Sequence, residues 1–228
     1  MADSNVEHHA VLFALIAHAA QEHAGSRGEE AVLEGVRRYG RQRGARMADH
    51  ARSEGQSEDM MGYLLYGELD FGTTRNRFKP VRKTPYLEVC AVECAWNHVW
   101  RERGMLDAGR LYCREIDRSI VSGYREDFRF ELEGTLTGGD DCCRFHFYDG
   151  EIGLKDTVKY LWSKQRLGSR YVRPWRFHVA ELYDVLSATL KEKLGETDAD
   201  TILQTVEKEF AETFGEAATE SLHVGAEL

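Results

Sequence analysis

Apolar residues near the start of the chain recur at helical spacing. Val11, Leu12, Leu15, Ile16 and Ala19 mark a helix over 6–24, and Gly25 with Ser26 interrupts the run. A second helix is expected over roughly 28–53, with Val32, Leu33, Val36 and Tyr39 on one side and charges on the other, so the two predict a helical hairpin. A third, over 57–69, has Ser57 as N-cap and Gly67 near its end. The pattern then changes, and 75–83 and 84–94 read as two strands, the latter alternating. Two helices follow, over 95–104 and 107–124, the first stopped by Gly104, the second led by Asp107 as N-cap and stopped by Gly123. Alternation returns in 128–136 and 142–149 around the turn residues 137–141, Thr-Gly-Gly-Asp-Asp, which predicts a hairpin. Helical spacing closes the chain over 154–167, 174–194 and about 197–214.

Helices at both ends and strands in the middle predict an α+β fold, a small central antiparallel sheet flanked by N- and C-terminal helical hairpins. The expected organisation is a single domain with a helical part over 1–70, a sheet-containing core over 71–150, a second helical part over 151–215 and a polar tail over 216–228. A constant offset of 170 places His8 on His178, Ala10 on Ala180, Leu12 on Leu182, Gly25 on Gly195 and Val36 on Val206. Either the two hairpins are a duplication that should superpose, or they share only amphipathic spacing.

Composition narrows the function. The 228 residues are 42% hydrophobic, enough for one core or two small ones, and the net charge of -9 argues against nucleic acid and membrane as partners. A local basic patch could still bind a small acid. Five cysteines, Cys90, Cys94, Cys113, Cys142 and Cys143, are odd in number and unevenly spaced, which suits a reducing compartment better than a disulfide framework. The apolar run 11–20 is too short to span a bilayer and follows an acidic start. The reading is a cytoplasmic protein with a small-molecule substrate, and homo-oligomerisation is left open.

Six stretches, "HHAVLFALIA", "EGVRRYGRQRGARMA", "CAWNHVWRERGML", "LYCREIDRSIVSGY", "TLTGGDDCCRFHF" and "PWRFHVAELYDVL", together resemble the L-2-amino-thiazoline-4-carboxylic acid hydrolase family, in order over roughly 8–215. The most specific positions are Cys94, Tyr112, Cys113, Asp117, Thr135, Leu136, Thr137, Gly139, Asp140, Cys143 and Phe145. Two departures stand out: Ala95 replaces the proline that follows the first cysteine, and Cys142 adds a thiol. The resemblance implies hydrolytic opening of a cyclic isothiourea to N-carbamoyl-cysteine, or reaction with a related small molecule.

Such chemistry needs carboxylates for the amidine N–H groups, a nucleophile beneath the electrophilic carbon, an acid for the leaving thiolate and a cation for the substrate carboxylate. Cys113 and Asp117 share one face of a helix, with Arg114 and Arg118 as a neighbouring basic stripe. Glu131, Glu133 and Thr135 share one strand face. Cys143, Phe145 and Phe147 share another, with Cys142, Arg144 and His146 behind it. The expected site therefore has Asp117, Glu131 or Asp140 on the amidine, Arg114 or Arg118 on the carboxylate, and Cys113 or Cys143 at the carbon with a lowered pKa. Tyr112, Thr135, Thr137 and His178 are placed as substrate contacts. Asp140 and Asp141 also read as plain turn residues, and either thiol as a small buried hydrophobe.

No cofactor is expected, and the competing chemistry is zinc held by Cys94, His98, Cys113 and Cys143. His8, His9 and His178 form a second candidate cluster. The aromatic segment 158–177 reads as a helix and a connection over the site, anchored by Trp175. A second class of function stays open: a non-enzymatic binding module, because the hairpin also looks like the strand pairs of vinyl-reductase-type ligand-binding domains. A pocket of that kind should be mostly apolar.

Overall fold

A computed structural model describes residues 4–69 and 74–223. The chain is α+β, with a small antiparallel sheet and helices before and after it in sequence. It packs as two compact units. The first comprises residues 1–39, 95–115 and 174–228, the second residues 40–94 and 116–173. Two helices, α2 (Ser26–Ser53) and α5 (Leu106–Tyr124), contribute to both.

The first unit is helical. Its centre is α1 (Val6–Ala24), buried from His9 to Ala17, as expected of a helix that is apolar on nearly every side. It packs against α4 (Ala95–Glu102), α7 (Trp175–Leu194) and α8 (Glu196–Phe214). The offset of 170 recurs at the joints. Gly25 and Gly195 both have positive φ, their N–H groups bond Gln21 O and Lys191 O, and their carbonyls accept from Glu29 N and Ala199 N. The two histidines diverge. His8 stacks at 4.1 Å on Phe214 and is half-buried, whereas His178 is wholly buried beside Trp175 and Phe177.

The second unit holds the sheet, in the order β1-β2-β4-β3: β1 (Arg77–Arg82), β2 (Leu87–Glu93), β3 (Phe130–Glu133) and β4 (Cys143–Phe147). The hairpin expected from 128–136 and 142–149 is present, with Phe130 opposite Phe147 and Leu132 opposite Phe145. Pairing with β2 sets Ala91, Val89 and Leu87 opposite Cys143, Phe145 and Phe147. One face is thus apolar, and it packs on Met60, Tyr63, Val121 and Phe128. The other carries Glu88, Cys90, Arg144, His146, Glu131 and Glu133.

Helices α2 and α5 approach closely because both are glycine-lined where they meet. A Cβ on Gly44 would run into Ile120 O, one on Gly123 into Arg41 O, and one on Gly40 would lie 2.6 Å from Ser119 Cβ. This contact sets Arg43 on the inner side of α2.

Several boundaries differ from the sequence reading, each for a local reason. Helix α3 is only Met60–Leu65, because Asp59 accepts from Gly62 N at 3.0 Å as N-cap, while Ser57 bonds the Asp59 carboxylate instead. Helix α5 begins one residue before Asp107, which lies in its first turn, where a carboxylate still meets the favourable end of the helix dipole. The strands of the β3–β4 hairpin are shorter, since Gly134 takes φ 65° and the chain coils through 135–139 before re-entering the sheet. Thr135 therefore leaves the face of Glu131 and Glu133. The polar tail is helical where described: α9 (Glu216–Glu220) and a 3-10 turn, Ser221–His223, bury Leu222, while residues 224–228 lie outside the described range. Helix α6 (Leu154–Leu167) matches its expected limits.

Candidate active site

The second unit gathers a carboxyl, a phenol, a thiol and a guanidinium. Asp117 comes from the inner side of α5, one turn before Val121, which packs under the apolar sheet face. Desolvation by burial pushes its carboxyl up to about 6, against a smaller downward pull from Arg43. Burial also raises the Tyr63 hydroxyl, and the Asp117 charge raises it further. Asp117, Tyr63, Val89, Phe130 and Phe145 each keep part of their surface accessible. The polar ends of Asp117 and Tyr63 are thus surrounded by protein while the residues as a whole are still reached by solvent.

The thiol is Cys143, at the start of β4. The coil through 134–142 explains the motif around it. Asp140 accepts from Thr135 N at 2.7 Å, Thr135 Oγ1 accepts from Gly138 N at 3.0 Å, and the loop so folded points Leu136 N–H at Cys143 Sγ, 3.3 Å away. Threonine, aspartate and glycine here build a cradle for one sulfur. Burial outweighs that donor and pushes the thiol up to about 12, with Asp117, Cys94 and Cys142 adding to the rise. This corrects the expectation of a lowered pKa at Cys143: near neutral pH it is a protonated thiol. Cys142, on the other side of the strand, is raised to about 11 by burial and a hydrogen bond with Cys90. All five cysteines are free. Native alkylation near pH 8 should leave Cys143 unmodified, and denaturation should expose it. Peptide mapping that found Cys143 modified as fast as a free thiol in the native protein would refute this assignment.

Arg43 ties this cluster to a second one. Its Nε lies 3.7 Å from the wholly buried Glu68 carboxylate, which also accepts from Arg46 Nε at 2.8 Å and Nη2 at 2.9 Å. Neither Arg43 nor Tyr63 was singled out from the sequence. The signal for Arg43 was Gly40-x-x-x-Gly44, two glycines one turn apart inside a helix. That pattern marks a close helix contact, so the polar residue between them on the inner side had to be buried.

The remaining expected site residues fall elsewhere. Asp140 and Thr135 are engaged in the turn, and Thr137 is buried in the same coil. Glu131 projects from the sheet face opposite to Cys143, because adjacent residues on a strand point apart, and it accepts from Tyr148 Oη at 2.7 Å. Arg114 and Arg118 point outward from α5, and Arg114 makes ion pairs at 3.7 Å with Glu29 and with Glu115. Cys113 belongs to the first unit and is half-buried.

Tyr112 and His178 also belong to the first unit and are core residues of it. Tyr112 lies 4.9 Å from the Phe13 ring and 5.6 Å from Trp100. In that aromatic core, Trp96 Nε1–H donates to His9 Nδ1 at 3.0 Å. This leaves the other ring nitrogen to carry the proton toward Tyr39 Oη at 3.1 Å, so His9 is held as one neutral tautomer.

Among the described residues, no three His, Cys, Asp or Glu side chains come together as metal ligands, and the Cys94, His98, Cys113, Cys143 quartet is not such a group. His98 pairs instead with Glu102 at 3.1 Å. A surface groove of about 490 Å³ lies in the first unit, lined by Gln204, Glu207, Lys208 and Glu216, and holds none of these motif residues. No described helix is long and apolar enough to cross a membrane.

A desolvated carboxyl and a cradled thiol thus lie under one face of the four-stranded antiparallel sheet of an α+β fold. The family model described as L-2-amino-thiazoline-4-carboxylic acid hydrolase matches residues 4–147, and the chain belongs to that family. Neither a curated protein nor a solved structure matches it.

Proposed function

We propose that this chain is a hydrolase that opens a small cyclic amidine or isothiourea, with L-2-amino-thiazoline-4-carboxylate as the first compound to try, and that Asp117 is its central group. The observation that carries the reading is the Asp117 carboxyl, desolvated and held near pKa 6 beside Cys143 in a family member. Such a group is ionised at neutral pH yet basic enough to take a proton from water, which is where a general base works best. It also suits the N–H edge of a protonated amidine. Water adds to the ring carbon and gives its proton to Asp117, the carbon–sulfur bond breaks, and the departing sulfur takes a proton. The products are a urea and a free thiol. Asp117, protonated by the attacking water, returns that proton to the departing sulfur, and the new urea sheds its hydroxyl proton to solvent. Cys143, a weaker acid than the thiol being formed, is a neutral neighbour of the ring rather than the nucleophile. Free cysteines suit a reducing, cytoplasmic setting.

One observation favours the second reading, a binding module. The polar density expected around the site divides: Glu131 is behind the sheet and Arg114 and Arg118 face outward, so the apolar face keeps only a few polar groups. Incubation of the chain with L-2-amino-thiazoline-4-carboxylate, followed by a colorimetric thiol assay and mass analysis of the small molecules, separates the two. A hydrolase yields one new thiol per ring opened. Saturable binding with no thiol released sinks the enzyme reading for that compound.

A further inference from the structure

Helix α6 has an unusual surface for a chain of net charge -9. Leu154, Val158, Leu161 and Trp162 are 83%, 62%, 63% and 62% exposed, although each is large and apolar. At 3.6 residues per turn they fall within an arc of roughly 100°. Lys155, Lys159 and Arg166 occupy the next arc, and Lys164 borders the apolar one from its other side. The single acid of the helix, Asp156, lies on the inward side, where it accepts from Gly153 N at 2.9 Å. Tyr160 and Leu167 also face inward, toward the side on which α3 packs. No carboxylate lies within ion-pair distance of Lys155 or Lys159 among the described residues, and Arg166 lies 5.4 Å from the centre of the Trp162 ring.

The neighbouring strand is also basic, although its Arg77 and Arg82 pair with Glu93 and Glu88 of β2. Ile152 N donates to Lys83 O at 2.9 Å, so the end of β1 lies beside the start of α6. The segment 75–83 carries five cations and no acid, every residue of β1 is exposed, and Val81 is 53% exposed.

We propose that α6, with the adjoining end of β1, is a docking surface for an anionic phospholipid bilayer, on which the helix lies in the interface plane. An apolar arc bordered by lysine and arginine, with a tryptophan in it, lets rings and branched chains enter the headgroup boundary while the cations reach phosphates. Charge selects this occupant over a second copy of the chain. A two-fold contact through α6 would set its unpaired cations against their own images, whereas acidic headgroups neutralise them. The sequence argued against membranes from net charge, which averages over the uneven distribution described here. This surface involves none of Asp117, Tyr63 and Cys143, so it stands apart from the proposed chemistry.

The test is sedimentation of the full chain with phosphatidylcholine vesicles, and with vesicles in which phosphatidylglycerol replaces about a third of that lipid. Partitioning should favour the anionic vesicles by more than about tenfold and weaken as salt screens the headgroups. The double variant Leu161→Glu/Trp162→Glu should lose it while keeping its far-ultraviolet dichroism, since both side chains are exposed. Lys155→Glu/Lys159→Glu should reduce it toward the phosphatidylcholine level. Equal or no partitioning of the wild type onto the two vesicle types overturns the proposal. So does a dimer in sedimentation velocity that Leu161→Glu/Trp162→Glu converts to monomer, because then a second copy covers the exposed face of α6.

Discussion

Asp117→Asn is expected to lose turnover by about 10²- to 10⁴-fold, the usual contribution of a general base, and at the same time to raise the melting temperature at neutral pH. The second half follows from linkage. The folded-state carboxyl sits near 6 against an ordinary 3.8, so folding favours its protonated form. The stability associated with that proton is fully present below about pH 4, declines as pH rises toward 6, and is gone above it. Two pKa units correspond to roughly 3 kcal/mol, which the wild type gives up on going from acid to neutral pH and the asparagine variant does not. The difference in melting temperature between the two proteins should therefore open between pH 4 and pH 7, with the variant the more stable. In the wild type, kcat/KM should rise through about pH 6 as the base ionises. A variant that is both inactive and less stable at pH 7 would make Asp117 a structural residue, and a fully active one would remove it from the mechanism.

Glu68→Ala should be the most damaging single truncation in the second unit outside the apolar cluster under the sheet. The carboxylate is wholly buried and accepts two hydrogen bonds from Arg46, with Arg43 3.7 Å away. Its removal takes a buried counter-charge away from Arg43 and Arg46, a loss of about 3–5 kcal/mol. Glu68→Gln, which keeps an acceptor but not the charge, should lose less. Chemical denaturation of the three proteins ranks them directly, and equal midpoints for wild type and Glu68→Ala would mean that the cluster contributes nothing net. Where the alanine variant still folds, Arg43 should pull harder on Asp117, and the acidic limb of kcat/KM should move below pH 6. That displacement ties the charge cluster to the site.

The fold was legible because its signals are periodic and local. Helix α6 could be read residue by residue, the existence of the four strands and the β3–β4 hairpin could be read from the sequence, and so could the glycine joints at Gly25 and Gly195. The misread ends, such as α3 and the strands flanking Gly134, depend on which of several side chains caps a turn, and Ser57 and Asp59 are nearly equivalent choices until their bonds are seen. Of the residues expected at the candidate site, the motif named Asp117 and Cys143, which the fold brings near one another, and strand parity put Cys143 on the apolar face of the sheet. The same parity places Glu131 behind the sheet. Arg114 and Arg118 were chosen for proximity in sequence, yet a helix stripe four residues long says nothing about which side the core lies on. Arg43 and Tyr63 come from elements remote in the chain, so no local pattern could join them to Asp117. The pKa of Cys143 was misjudged because desolvation, the dominant cause, is a property of packing density that spacing does not encode.

The sheet has two rims, and both resist being lengthened. On β1 every residue is exposed, yet Pro80 lacks an N–H to offer a newcomer and the strand is studded with Arg77, Lys79 and Arg82. On β3 only four residues are available, two of them Glu131 and Glu133. A stray strand from another molecule would meet like charges and a missing donor on one side and too short a template on the other. The chain can therefore be crowded at high concentration, or concentrated on a surface, without its sheet seeding fibrils.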